Sequence, residues 1–283
     1  MATNPAVLPA DAAHVSDLLY QRYRNAAPDG TAWNEVLDVL LAHRSVRAYL
    51  PDPLPAGTLE TLVAAAQSAP TSSNLQPWSV VAVTDPARKE RLSLLAGNQK
   101  HIRDAPLFLV WLIDLHRLEA IGALKGAPAA AVAYLETFLL GAVDTSLAAQ
   151  NAVVALESLG LGSVYIGGIR NRPDEVAAEL GLPPNCFALF GLTVGHPDPG
   201  RPASVKPRLP QSAVLFHERY GEAEEVLDGV AAYNSSFRTF QAEQGMAPRD
   251  WSTIVANRLR GPEVLHGREK LVDQLRLLGF ELR

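Results

Sequence analysis

Apolar residues recur along this chain with two different periods, and each period marks a kind of element. Val15, Leu18, Leu19 and Tyr23 fall on one face of a helix near the N-terminus, and Trp33, Val36, Leu37, Leu40 and Leu41 repeat that spacing in a second. Thr31 stands where a capping oxygen would start this second helix. A third helix carries Leu59, Leu62, Val63 and Ala66 on one side and stops at Pro70, because the residue before a proline is driven out of helical geometry. Trp78–Val83 and Leu107–Ile113 read as strands, with a helix over 86–96 between them. Residues 128–160 are alanine-rich and apolar on most faces, which predicts a break near Gly141 and a helix buried all round over 143–159. Gly160 to Gly162 end that helix and open the strand Val164–Ile166, followed by a helix over 173–180 and the strand Ala188–Gly195. Beyond Pro210 the pattern predicts helices over Glu222–Gln244, Asp250–Leu259 and Glu263–Leu277. Four strands interleaved with helices predict one α/β layer structure. Residues 1–30 read as an N-terminal extension, leaving 31–283 as a single domain with a helical tail.

Composition narrows the function more than the fold. The chain has 283 residues, 48% of them hydrophobic and 19% charged, as an ordinary globular protein does. A net charge of −5 argues against a general nucleic-acid binder, so any cluster of cations is a local site. Cys186 is the only cysteine, which excludes an intramolecular disulfide and a multi-thiolate metal centre. It lies in the apolar run 186–190 and reads as a buried, inert thiol. The seven histidines contain no i, i+4 pair, so no metal site is expected. No run of eighteen apolar residues suggests a membrane span, and no basic-then-apolar leader opens the chain, so the expected location is cytoplasmic. The glycine-rich nucleotide loops and the Gly-x-Ser-x-Gly elbow are missing as well.

The chemistry gathers in two cationic segments. His43-Arg44-Ser45-Val46-Arg47 sets two guanidiniums near a hydroxyl, and Lys206-Pro207-Arg208 repeats the spacing far downstream. Four cations brought together without carboxylates repel one another unless a shared anion neutralises them. A phosphate suits the planar arginine fork, and lysine adds a point charge. Taken singly, each cation also reads as a solvated surface charge.

With these segments in order stand Ala69-Pro-Thr-Ser-Ser-Asn-Leu-Gln-Pro77, Gly97-Asn-Gln-Lys-His101, Tyr165-Ile-Gly-Gly-Ile-Arg170, Phe190-Gly-Leu-Thr-Val-Gly195 and Lys206-Pro-Arg-Leu-Pro210. Together they resemble the nitroreductase superfamily over roughly residues 36–220, most of all its branch of oxygen-insensitive NADPH nitroreductases and NADPH–flavin reductases. The resemblance implies an α+β sandwich whose central, mostly antiparallel sheet is flanked by helices, in an interlocked homodimer with FMN sites at the subunit interface. It implies that His43, Arg44, Ser45 and Arg47 hold the FMN phosphate, ribityl chain and pyrimidine edge, with Lys206 and Arg208 approaching from the same subunit. Thr71, Ser72 and Ser73 match a loop that reaches the flavin from the partner subunit, and Gln99 matches a flavin-contacting glutamine. Gly167, Gly168 and Ile169 fall where the family places main-chain groups near the flavin's reactive nitrogen. The residue types suit those roles, since glycine lets a backbone N–H approach a flat ring and a serine hydroxyl can donate or accept. Read alone, Gly167-Gly168 is also a strand-to-loop turn, Gln99 a solvated helix-end side chain, His43 a structural histidine, and Ser72 and Ser73 the shape of a loop before Pro77.

The activity implied is FMN-dependent NAD(P)H oxidation by ping-pong hydride transfer to nitroaromatics, quinones or free flavin, with no indispensable protein acid or nucleophile. The branch binds the NADPH 2′-phosphate with two loop arginines; here Arg249 remains while Gln244 stands at the first position, with Arg238 nearby as a substitute. NADPH is therefore the expected reductant, with NADH preferred against less steeply than in relatives that keep both arginines. The sequence departs from the branch in its first 30 residues, around 122–138 and at 243–250. Two other readings stay open: a non-redox flavin-binding or interaction protein on the same fold, and an enzyme for another phosphorylated ligand.

Overall fold

A computed structural model describes residues 12–24 and 32–283. The elements in chain order are α1 (Ala12–Tyr23), α2 (Glu35–Leu41), α3 (Thr58–Gln67), β1 (Trp78–Val83), α4 (Pro86–Leu95), α5 (Lys100–Asp104), β2 (Leu107–Asp114), α6 (His116–Leu124) and α7 (Leu135–Ser158). They continue with β3 (Gly162–Ile166), α8 (Pro173–Leu180), β4 (Cys186–Gly195), α9 (Ala223–Glu243), α10 (Trp251–Arg258) and α11 (Leu271–Leu277). Two compact units result: residues up to Arg44 with Ser204–Val264, and Ser45–Ala203 with Leu265–Arg283.

The larger unit is built on β2. Its eight residues are all buried, because alternate side chains enter two different cores. Leu107, Leu109 and Trp111 pack with Leu62 and Ala66 of α3 and Ala148, Ala152 and Leu156 of α7. Phe108, Val110 and Leu112 pack with Leu92 of α4, Ile102 of α5 and Val176 of α8. The sheet runs β1-β2-β4-β3, and every ladder in it is antiparallel. This corrects the α/β layer read from the interleaved pattern: the class is α+β, as the resemblance implied, with helices on both faces.

Two expectations about helices change. α7 runs unbroken through Gly141, because that glycine serves close packing: a Cβ there would lie 2.6 Å from Ile113 Cγ2. Nor is the helix buried all round. Ala148, Ala149, Ala152 and Leu156 face the core, while Leu135, Leu139, Val143 and Leu147 are 46, 50, 56 and 39% exposed. Among the described residues α7 is the one helix long and apolar enough to cross a bilayer, and its inner face belongs to the protein core. The predicted helix 263–277 divides into 3₁₀ turns at Pro262–Val264 and Arg268–Lys270 before α11, with Gly267 at φ +92 between them.

In the smaller unit Val15, Leu18 and Leu19 of α1 pack on Trp33, Leu37 and Leu41. Thr31 lies outside the described residues; α2 is capped by Asn34, whose side-chain oxygen accepts from Leu37 N at 3.1 Å. A second cluster joins Tyr233, Phe237 and Phe240 of α9 to Leu209 and Trp251.

Candidate flavin site

The motif His43–Arg47 straddles the boundary between the units, so its residues are described on each side separately. In the smaller unit the organiser is Arg22, which the sequence reading left inside the extension. It is 5% exposed. Its guanidinium donates to Leu41 O at 2.7 Å, His43 O at 3.0 Å and Lys206 O at 2.9 Å. The backbone closes the same junction, with Arg208 N–H donating to Arg22 O at 2.8 Å. One buried arginine therefore fastens the backbone of both cationic segments, at His43 and at Lys206. Five donors in a fixed fork make arginine the side chain for gathering several carbonyls. The sequence did hold a signal, because Arg22 follows Val15 at i+7, Leu18 at i+4 and Leu19 at i+3 on the apolar stripe of α1.

Around this junction the predicted cations are outward. Arg44 is exposed and donates to Ala42 O at 3.4 Å; Arg208 donates to Lys206 O and Pro207 O at 3.0 and 3.3 Å. Lys206 and Arg208 border a cavity of about 520 Å³ whose lining includes Tyr233, Phe237 and Trp251. Further along, Arg249 is exposed and its N–H donates to Gln241 Oε1 at 2.7 Å. Gln244 accepts from the Ser204 hydroxyl at 2.6 Å, and Arg238 is ion-paired with Asp250.

In the larger unit the backbone of 45–50 is pinned beside β3 and β4. Ser45 forms a parallel bridge with Ser163, and Val46 N–H donates to Ser163 O at 2.8 Å. The Tyr49 hydroxyl donates to Val46 O at 2.6 Å and lies 2.7 Å from Thr193 Oγ1. Val46, Ala48 and Tyr49 are buried, which leaves Arg47 pointing outward between them. Arg44 and Arg208 in the smaller unit, and Arg47 in the larger, form no ion pair among the described residues.

Gln99 and Gly168 are brought together. Gln99 Nε2 donates to Ala96 O at 2.9 Å, and a Cβ on Gly168 would meet that oxygen at 2.3 Å and Gln99 Nε2 at 2.6 Å. Only glycine allows this approach. Gly167 differs: a Cβ there would meet only guanidinium atoms, Arg170 Nη2 at 3.4 Å and Arg268 Nη1 at 3.9 Å. Burial, then the Arg268 charge, holds the Arg170 pKa below its ordinary value. Positive charge beside Gly167 was not anticipated at Arg268, which lies in the stretch misread as one long helix. Ile169 is fully buried, main chain included.

The serine loop is held from below. Ser72 and Ser73 are exposed, and Ser73, Asn74 and Gln76 all have positive φ, at 49, 54 and 52°. For Ser73 and Gln76 this costs about 1–2 kcal/mol each, whereas asparagine adopts the left-handed region more readily. Thr71 is turned inward, its hydroxyl donating to Asp144. None of the loop's hydrogen bonds goes to Arg47, Gln99 or Gly167–Ile169 among the described residues. Near the sheet end Cys186 is 3% exposed, and burial and the Asp114 charge push its thiol up to about 12, so it is inert at neutral pH.

Comparison with known proteins decides the family. The sequence model of the nitroreductase family matches residues 40–196, and that of its C-terminal domain matches 206–283. The chain belongs to the nitroreductase family. It is 38% identical over 244 residues to an FMN reductase [NAD(P)H] of Bacillus subtilis, covering 85% of this chain and 97% of the relative. It is 36% identical over 249 residues to an oxygen-insensitive NADPH nitroreductase of Salmonella typhimurium, covering 87% and 98%. The solved structure of B. megaterium NfrA2 superposes with a TM-score of 0.83 at 36% identity, over 89% of this chain and all of that one. The residues present suit a flavin taken unit by unit: in the smaller, arginines without an ion pair among the described residues; in the larger, a glycine main chain at Gly167-Gly168 and exposed hydroxyls at Ser72 and Ser73.

Proposed function

We propose that this member of the nitroreductase family is an FMN-dependent NAD(P)H oxidoreductase that reduces nitroaromatics, quinones or free flavin, and that it works as a homodimer. The observation that carries the reading is the pair of cationic segments held at one junction by Arg22, with no ion pair to Arg44 or Arg208 among the described residues. The relatives named an FMN reductase and an NADPH nitroreductase support the cofactor and both kinds of acceptor.

FMN, when bound, supplies two-electron hydride chemistry. The protein's residues bind, orient and tune. Arg44, Arg47, Lys206 and Arg208 hold the phosphate, with His43 and Ser45 on the ribityl chain and pyrimidine edge. Gln99 and the main chain of Gly167, Gly168 and Ile169 face the ring, and Arg170 and Arg268 add positive charge beside it, which favours an electron-rich ring. Ser72 and Ser73 reach the flavin of a second copy, the Thr71 hydroxyl being spent on Asp144. Nicotinamide and acceptor use one slot in turn, so an aromatic acceptor is chosen by shape more than by hydrogen bonds. Arg249 receives the 2′-phosphate of NADPH. The exposed apolar stripe of α7 supports the dimer, since a contiguous exposed apolar face marks an interaction surface.

The visible spectrum of the purified protein tests this. A yellow protein that bleaches anaerobically with NADPH is expected. A colourless protein that ignores added FMN sinks the reading, and a yellow one that NADPH leaves unbleached moves it to a non-redox flavin binder.

A further inference from the structure

An aspartate in the middle of an apolar helix is costly unless its oxygens are engaged. Asp144 of α7 is 2% exposed, and both its oxygens are engaged by one loop. Oδ2 accepts from the Thr71 hydroxyl, and Oδ1 accepts from Ser72 N–H at 3.2 Å. The Thr71 oxygen in turn accepts from Gln76 N–H at 3.0 Å. These bonds fasten the loop where it begins, at residues 71 and 72, and where it ends, at 76. The positive-φ residues Ser73, Asn74 and Gln76 lie in this fastened stretch. An exposed loop of serine and asparagine needs no buried anion merely to connect α3 to β1. A strained loop persists only where its surroundings over-determine it, and here the determinant is Asp144 acting through Thr71.

We propose that Asp144 is a positioning residue of the flavin site: it selects the one conformation of residues 71–76 in which Ser72 and Ser73 present their polar groups to the flavin. It touches neither flavin nor substrate. The latch sits on α7 beside Val143 of the exposed apolar stripe, so the serine loop is fastened to the element that carries that face. This inference rests on the FMN reading above.

The test uses the full-length chain with Asp144→Asn, Thr71→Val, Thr71→Ser and the double variant Asp144→Asn/Thr71→Val. Asparagine keeps the shape but offers one acceptor where two donors arrive; valine keeps the shape of threonine without its hydroxyl. Flavin fluorescence titration reads FMN affinity, and hydrogen exchange reads the amides of Ser72 and Gln76. Asp144→Asn and Thr71→Val should each weaken FMN binding about tenfold and speed exchange at those amides. Thr71→Ser, which restores the hydroxyl, should stay within about twofold of wild type, and the double variant should be little worse than either single one, because both break the same unit. Wild-type FMN affinity in Asp144→Asn and Thr71→Val overturns the inference alone, as does a Thr71→Ser as impaired as Thr71→Val. A wild-type chain that takes up no FMN overturns the functional reading, and this inference with it.

Discussion

Arg44 and Lys206 approach the same junction from opposite ends of the chain, and each should matter separately. Removing one charged donor to a phosphate costs about 1.5–3 kcal/mol, or roughly tenfold or more in dissociation constant. Arg44→Ala and Lys206→Ala are expected to lose that much FMN affinity in a fluorescence titration; wild-type values in both would remove the phosphate site. Arg249 makes a narrower prediction. Its guanidinium forms no ion pair among the described residues, while Arg238 is occupied by Asp250 and Gln244 by Ser204. Arg249→Ala should therefore raise KM for NADPH several-fold, about 1 kcal/mol, and leave NADH turnover nearly unchanged, because only one of the two carries the extra phosphate. Equal effects on both nicotinamides would take Arg249 out of the cofactor site. His101 gives a pH dependence. Burial, then the Arg47 charge, lowers its pKa from 6.5, with Asp104 opposing. The folded state thus prefers the neutral ring, so this contribution is complete above 6.5 and is lost as pH falls from there through the folded value. Melting temperature followed from pH 7.5 to 5.5 should fall less in His101→Gln than in wild type.

At the level of elements, periodicity revealed most of what exists and little of why. The pattern places β1 over Trp78–Val83 and α8 over 173–180, where the structure has them, because alternation and helical spacing are local properties. It misreads Gly141 because a glycine in a helix looks like a break until its neighbour is known. The reason lies across the core, at Ile113. Gly141→Ala should accordingly destabilise the protein by about 1–3 kcal/mol through overpacking, measured by urea unfolding, even though alanine favours helix more than glycine does. A stabilised Gly141→Ala would show that the helix yields easily there. The site was legible in the same uneven way. The motif residues His43–Arg47, Gln99, Gly168 and Lys206–Arg208 stand out in the sequence. Arg22, Asp144 and Arg268 do not, since each acts on a segment distant in the chain. An arginine on an apolar stripe and an aspartate in an apolar helix are the traces they leave, and both ask for a partner that only the fold names.

For the whole molecule, the outer stripe of α7 is the face on which the proposed homodimer would close. Leu135, Leu139, Val143 and Leu147 recur at every fourth residue and are all exposed in the single chain. Leu139→Glu puts a charge in the middle of that stripe without touching the core, so it should give a folded monomer in sedimentation at micromolar concentration, with FMN binding weakened if Ser72 and Ser73 act on a second copy. A Leu139→Glu protein that stays dimeric would place the interface elsewhere. The antiparallel order β1-β2-β4-β3 carries a consequence for how the protein is made. β4 is the last strand to leave the ribosome, yet it lies between β2 and β3. At about 5–20 residues per second, β2 exists for some seconds with an apolar edge that has no neighbour on the β4 side. During synthesis that edge is open to pairing with other nascent chains. A holdase chaperone that covers the edge until β4 arrives is the remedy the strand order recommends.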